Sequence, residues 1–242
     1  MERGDAMRQV GGSGRMDAGA TGRSDAATAV PEVRAGAPDA VRLGCGRQDA
    51  VACAEPRRPR LVVGVSGASG AALGLACLDC LRTAGVESHL VLTHGAELTI
   101  EQELGMDARA FARHADVVYD NRNIGAAIAS GTFAMDGMIV APCSMKTLAG
   151  IACGYSENLL LRAADVQMKE QRRLVLMVRE TPLSVIHAEN MARVARVPGV
   201  MLMPPLLTFY NGPQTIEDMV HHMACKALAA FGIEGEGYRR WS

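Results

Sequence analysis

Apolar residues reach this chain in short runs separated by amphipathic stretches, and the first run begins only after residue 59. Leu61-Val62-Val63-Gly64-Val65 is followed by the small, polar Ser66-Gly67-Ala68-Ser69-Gly70 and then by apolar positions at helical spacing over residues 71–83. The opening therefore reads strand, tight turn, helix. The rhythm continues with a strand over 88–93, a helix around 97–103 and a strand over 137–141 that ends in the turn 142–147. A helix over 159–171, a strand over 174–178, a helix over 184–196, a strand over 200–203 and a closing helix over 216–231 complete it. Strands that read as continuous apolar runs, alternating with helices, belong to a parallel sheet buried on both faces. The expected fold is α/β, a Rossmann-like doubly wound parallel sheet in a three-layer α/β/α arrangement, with ligands bound beyond the carboxyl ends of the strands.

Residues 1–58 break this pattern. They are rich in Gly, Ala, Asp and Arg and poor in large apolar side chains, so they cannot bury enough surface to offset chain entropy. They read as a disordered leader or an extension from a misassigned start, and 59–242 reads as the domain. Composition narrows the function classes without choosing one. With 49% apolar residues and a formal net charge of -1 the protein is ordinary for a globular domain and has no general attraction for nucleic acid or anionic lipid. No apolar run is long enough to span a bilayer, the N-terminus lacks a secretory core, and its scattered acids argue against a transit peptide. Seven cysteines without framework spacing suit a reducing, cytoplasmic setting.

Two loops that follow strands carry candidate chemistry. Ser66 to Gly70 places backbone N–H groups at a helix start, a site suited to an anion, but its glycine spacing differs from the dinucleotide pattern. The second strand also ends in Thr93-His94 rather than in the acid an NAD ribose requires. Pro142-Cys143-Ser144-Met145-Lys146-Thr147 joins hydroxyls to a lysine at another helix start. Arg162 and Lys169, seven apart, share a helix face, and Arg179-Glu180 directly follow a strand, so a cationic cluster is expected at the carboxyl edge of the sheet. Cys77 and Cys80 lie in an apolar helix and read as buried thiols, and His187, His221 and His222 show no ligand spacing with one another or with carboxylates. No metal is expected.

Ser66-Gly67-Ala68-Ser69-Gly70, Ser130-Gly131-Thr132-Phe133, Pro142 to Leu148, Arg162-Ala163-Ala164-Asp165-Val166, Arg179-Glu180-Thr181-Pro182-Leu183 and Phe209-Tyr210 together resemble the UbiX/Pad family of flavin prenyltransferases. The family includes the B subunits of hydroxyarylic acid decarboxylase systems, and the resemblance runs from about residue 60 to the C-terminus. It implies a metal-independent enzyme that joins the dimethylallyl group of dimethylallyl monophosphate to N5 and C6 of reduced FMN. The products are prenylated FMN, supplied to a UbiD-type decarboxylase, and phosphate. A large homo-oligomer with active sites between subunits is also implied. By the same resemblance Gly67, Ala68, Ser69, Thr93, Ser144, Met145, Lys146, Thr147 and Arg179 hold FMN, and Ser130, Arg162, Lys169, Arg179, Tyr210 and Lys226 surround the substrate phosphate. Ser69, Glu103, Lys169 and Glu180 are the catalytic set, with Glu180 or the released phosphate as base. Lys226 stands where the family commonly has Arg, which keeps the charge but gives up a bidentate fork. Tyr210 and Trp241 are expected to close the pocket against water.

Two other readings are open at this point. A flavoprotein cysteine decarboxylase would need a catalytic histidine and a Pro-Ala-Ser-Ala-Asn-like loop, where this chain has Pro142-Cys143-Ser144-Met145-Lys146. An FMN-binding accessory subunit without transferase activity would have no use for Glu103, Lys169 and Glu180.

Overall fold

The computed structural model describes residues 57–240, so most of the expected leader and the proposed closing residue Trp241 lie outside the described residues. Arg57 and Arg58 already belong to the domain's edge. Arg57 pairs with Asp136 at 2.7 Å, and Arg58 donates to the carbonyls of Gly85 at 2.8 Å and Val86 at 3.1 Å.

The chain runs β1 (Arg60–Val65), α1 (Ala71–Thr83), β2 (Glu87–Leu92), α2 (His94–Leu104), α3 (Ala108–Ala112) and β3 (Val117–Tyr119). A 3-10 turn at Ala127–Ala129 leads to β4 (Gly137–Cys143), α4 (Met145–Cys153), α5 (Leu159–Lys169) and β5 (Arg173–Val178). Helix α6 (Val185–Val194), β6 (Val200–Leu202) and α7 (Ile216–Ala229) close the domain. All strand pairs are parallel, in the order β3-β2-β1-β4-β5-β6. The chain winds outward in one direction from β1 and in the other from β4. Because those two strands are neighbours, the loops that follow them diverge and leave a crevice at the carboxyl edge.

Alternation along the strands divides the core into two layers. Leu61, Val63, Val65 and Ile139 face α1 and α7, where Leu78, Leu81, Ala224 and Leu228 are buried against them. Val62, Met138, Val140, Leu174 and Leu176 face α4 and α5, packing with Leu148, Ile151, Leu160 and Ala163. Strands buried on both faces need both helix layers, which is why the sequence shows runs rather than alternation.

The element boundaries differ from the sequence expectation where local capping decides them. Helix α2 begins at His94, three residues early, because the Thr93 side chain accepts the Ala96 N–H at 3.1 Å. Strand β4 extends to Cys143, with its register against β5 shifting between Val140 and Cys143. Neither α3 nor β3 was expected. Each is too short, and β3 at the sheet edge too exposed, to leave a periodic signal.

Candidate functional site

The carboxyl edge of the sheet is built by β1, β2 and β4 delivering three helix N-termini to one place. Buried Ser66, directly after β1, ties two of these loops together. Its hydroxyl donates to the Pro142 carbonyl at 2.9 Å and accepts the Ser144 N–H at 2.7 Å. Ser144 in turn caps α4, accepting from the Thr147 N–H at 3.3 Å and lying 3.1 Å from the Thr147 hydroxyl. Thr93 caps α2 in the same way. Gly67 packs backbone to backbone against Gly95, and a Cβ at position 67 would fall 2.8 Å from Gly95 main-chain atoms. The result is a floor without protruding side chains at its centre, rimmed by Ser69, Thr93, Ser144, Met145, Lys146 and Thr147. Gly67, Ser69 and Lys146 are exposed and Ala68 half-buried, so the floor is open in a single subunit.

The expectation of free N–H groups at the start of α1 is corrected by Glu103. Its carboxylate, at the end of α2, accepts the Gly70 N–H at 2.9 Å and the Ala71 N–H at 2.8 Å. Gly70 itself offers α1 no side-chain cap. Partial burial works to raise the Glu103 pKa, but hydrogen bonds from Ser69, Gly70 and Ala71 and the nearby charge of Arg179 hold it below the usual carboxylate range. Glu103 is therefore an ionised cap that fixes the loop carrying Ser69, and it brings Ser69, Glu103 and Arg179 into one electrostatic group. Arg179 continues β5, its N–H bonded to the Cys143 carbonyl at 3.0 Å. Exposed Glu180 turns back to accept the Thr181 N–H at 3.0 Å.

The expected cationic cluster divides between the two edges of the sheet. Helix α5 runs antiparallel to the strands, so Lys169 at its end lies at the amino edge, four residues before β5 begins. There Lys169 pairs with Glu170 beside Gly131. Ser130 bonds Thr132 at 2.8 Å, and Arg172 donates to the Gly131 carbonyl at 2.7 Å. Arg162 reaches the Ala129 carbonyl at 3.2 Å and Asp165 at 2.7 Å. Ser130, Arg162 and Lys169 thus line the 129–131 loop along the length of α5, with Lys169 at the amino edge, while Arg179 and Glu180 follow β5 at the carboxyl edge. Spacing on a helix face could not reveal this, because the direction of the helix decides which end meets which loop.

Tyr210 and Lys226 meet through His222 on α7. The Tyr210 hydroxyl lies 3.5 Å from His222 Nε2, with the two rings edge to face. Burial pushes the His222 pKa down, and the charges of Lys226 and His221 push it further. His94, the histidine nearest the floor by sequence, is 82% exposed and paired with Glu97. With no asparagine in the 142–147 loop, the cysteine-decarboxylase reading loses the loop it requires. Among the described residues one further group was missed by the sequence reading: Cys80, His221 and Cys225 come together between α1 and α7. The signal available was the four-residue spacing of His221 and Cys225, which places both on one helix face.

Known proteins carry the same architecture and much of the same sequence. The Flavoprotein family model matches residues 52–227. Flavin prenyltransferase UbiX of Neisseria meningitidis serogroup B is 50% identical over 182 residues, covering 75% of this chain and 96% of that protein. The crystal structure of AnUbiX (PadA1) in complex with FMN and dimethylallyl pyrophosphate superposes with a TM-score of 0.75 at 44% identity, covering 77% of this chain and 98% of that one. A dodecameric FMN-dependent UbiX-like decarboxylase from Escherichia coli O157:H7 gives a TM-score of 0.73 at 50% identity, covering 76% and 99%. With its sheet order, its three-loop floor and these relatives in agreement, the chain belongs to the UbiX-like flavin prenyltransferase family.

Proposed function

We propose that the protein transfers the dimethylallyl group of dimethylallyl monophosphate to reduced FMN, giving prenylated FMN and phosphate for a UbiD-type decarboxylase in the cytoplasm. The observation that carries this reading is the floor at the carboxyl edge, where Ser69, the ionised Glu103 and Arg179 meet beside three helix N-termini. The donor set fits FMN: Gly67 against Gly95 leaves room for a planar ring close to backbone, and Ser69, Thr93, Ser144, Met145, Lys146, Thr147 and Arg179 offer polar groups at its edges. When bound, reduced FMN supplies the nucleophilic N5 and C6 positions.

The remaining work falls to the chain's own residues. Arg179, Lys169 and Lys226 stabilise the phosphate as the allylic C–O bond breaks, and Ser130, Arg162 and Tyr210 orient it. Glu103 holds Ser69 in place, and Glu180 takes up a proton. Since Lys169 lies at the amino edge and Arg179 at the carboxyl edge, a phosphate site that uses both draws on residues from more than one subunit. A homo-oligomer like the dodecameric relative would supply them. Lys169 and Glu180, for which a flavin-carrying accessory subunit has no use, favour a transferase; Glu103, as the cap of α1, would serve either. The test is phosphate release: reduced FMN and dimethylallyl monophosphate, held anaerobically with the protein, are expected to liberate phosphate only when both are present. Release that ignores flavin would mean a simple phosphatase and overturn the reading.

A further inference from the structure

We infer that Cys80, His221 and Cys225 form a binding site for a thiophilic divalent cation of the zinc class, separate from the flavin floor. Cys80 lies on the last turns of α1, and His221 and Cys225 lie one helical turn apart on α7. Each offers one ligand atom, and the three atoms lie within 4.8 Å of one another. Two sulfurs and an imidazole nitrogen are the donor set preferred by zinc over magnesium or calcium.

The geometry matches that chemistry in three respects. With zinc bonds of about 2.3 Å to sulfur and about 2.0 Å to nitrogen, two such ligands on one tetrahedral ion stand about 3.5 Å apart. Cys80 Sγ lies 3.6 Å from His221 Nδ1, close to that spacing, and Cys225 Sγ, on the Nε2 side of the ring, still falls within the 4.8 Å that encloses all three ligand atoms. The imidazole is also held by an outer partner, since Nε2 stands 2.8 Å from the Glu236 carbonyl oxygen. A backbone carbonyl can only accept, so Nε2 carries the proton and Nδ1 presents its lone pair toward Cys80, the arrangement that orients metal-bound histidines. Finally, Gly235 lets the C-terminal segment lie directly over Cys225, where any side chain at position 235 would collide with the sulfur.

The two sulfurs are buried and the histidine is exposed, so access is from one side only. There a cavity of about 380 Å³, bordered by Asp79, Thr83 and Glu236, leaves a fourth position for water or a carboxylate. An ion bound here joins α1, α7 and the segment around Glu236. It would thereby fix the helix that carries Lys226 and His222, while taking no part in the transfer chemistry.

The test uses the full-length protein, reduced with a phosphine and titrated with cobalt(II) as a spectroscopic stand-in for zinc. The expected result is one cobalt per chain, with a thiolate-to-cobalt charge-transfer band in the near ultraviolet that stoichiometric zinc abolishes. The melting temperature should also rise with zinc concentration, because the ion binds only the folded chain. His221→Ala, at an exposed position, and Cys225→Ala should lose the band. Cys77→Ala, Cys153→Ala and the paired Cys45→Ala and Cys53→Ala changes should keep it. No band in the wild type, or an undiminished band in both His221→Ala and Cys225→Ala, overturns the assignment. So does a thiol count two short in unreduced protein that reductant restores and a chelator does not, which would make Cys80 and Cys225 a disulfide instead.

Discussion

Replacing Glu103 with glutamine removes one negative charge from the start of α1 while leaving a side chain of nearly the same shape. In the wild type the carboxylate receives the N–H groups of Gly70 and Ala71 at 2.9 and 2.8 Å, at a helix end with no other side-chain cap. Glutamine can accept one of these bonds, but its amide nitrogen, itself a donor, faces the other. The loss combines one hydrogen bond, about 1 kcal/mol, with the charge–dipole attraction, about 0.5 kcal/mol, giving about 1.5 kcal/mol in all. For a domain of this size that is a fall in melting temperature of about 4 °C at fixed protein concentration. The pH dependence supplies a second check. Because the folded-state pKa of Glu103 is depressed, its stabilisation is fully present above the unfolded value of about 4.3 and is lost as pH falls through the lower folded value. The gap between wild type and Glu103→Gln should therefore close below about pH 4. Melting followed by circular dichroism measures both. Equal melting at neutral pH, or a gap that persists once the carboxylate is protonated, refutes the capping argument.

Ser66→Ala leaves the Ser144 N–H without its buried acceptor, while the Pro142 carbonyl keeps the Ser66 N–H at 3.2 Å, and should cost about 2 kcal/mol in urea unfolding, with weaker FMN binding by fluorescence titration. Gly67→Ala drives a methyl group into the Gly95 backbone and should reduce FMN affinity at least tenfold, whereas the same change at Gly85, where nothing lies within 4 Å, should leave binding unaltered despite its positive φ. Glu180→Gln should slow turnover by about 100-fold without changing FMN affinity, as expected for loss of a proton acceptor. Lys169→Met and Arg179→Met subunits, each inactive alone, should recover part of the activity when refolded together, because one intact site can then draw Lys169 and Arg179 from different chains. No recovery in verified mixed oligomers would place the whole site in one subunit.

The sheet and most of the floor were legible because they depend on local sequence. Runs such as 61–65 and 174–178 are apolar on both faces only if helices cover both, and Ser144 announces α4 by capping it. The 117–119 strand was invisible because three half-exposed residues carry no period. The roles of Glu103 and Lys169 were hidden for a different reason. Glu103 reaches α1 from 32 residues away, and Lys169 is carried to the amino edge by the direction of α5, so both placements are tertiary. Likewise Cys80 meets His221 and Cys225 only because α1 packs on α7.

The central claim is tested most directly by the mass of the flavin. Purified protein, reduced FMN and dimethylallyl monophosphate are incubated without oxygen, and the extracted flavin is weighed by mass spectrometry. The account predicts FMN heavier by one C5H8 unit. Unchanged FMN from folded, flavin-loaded oligomer would contradict it and leave the protein a flavin carrier.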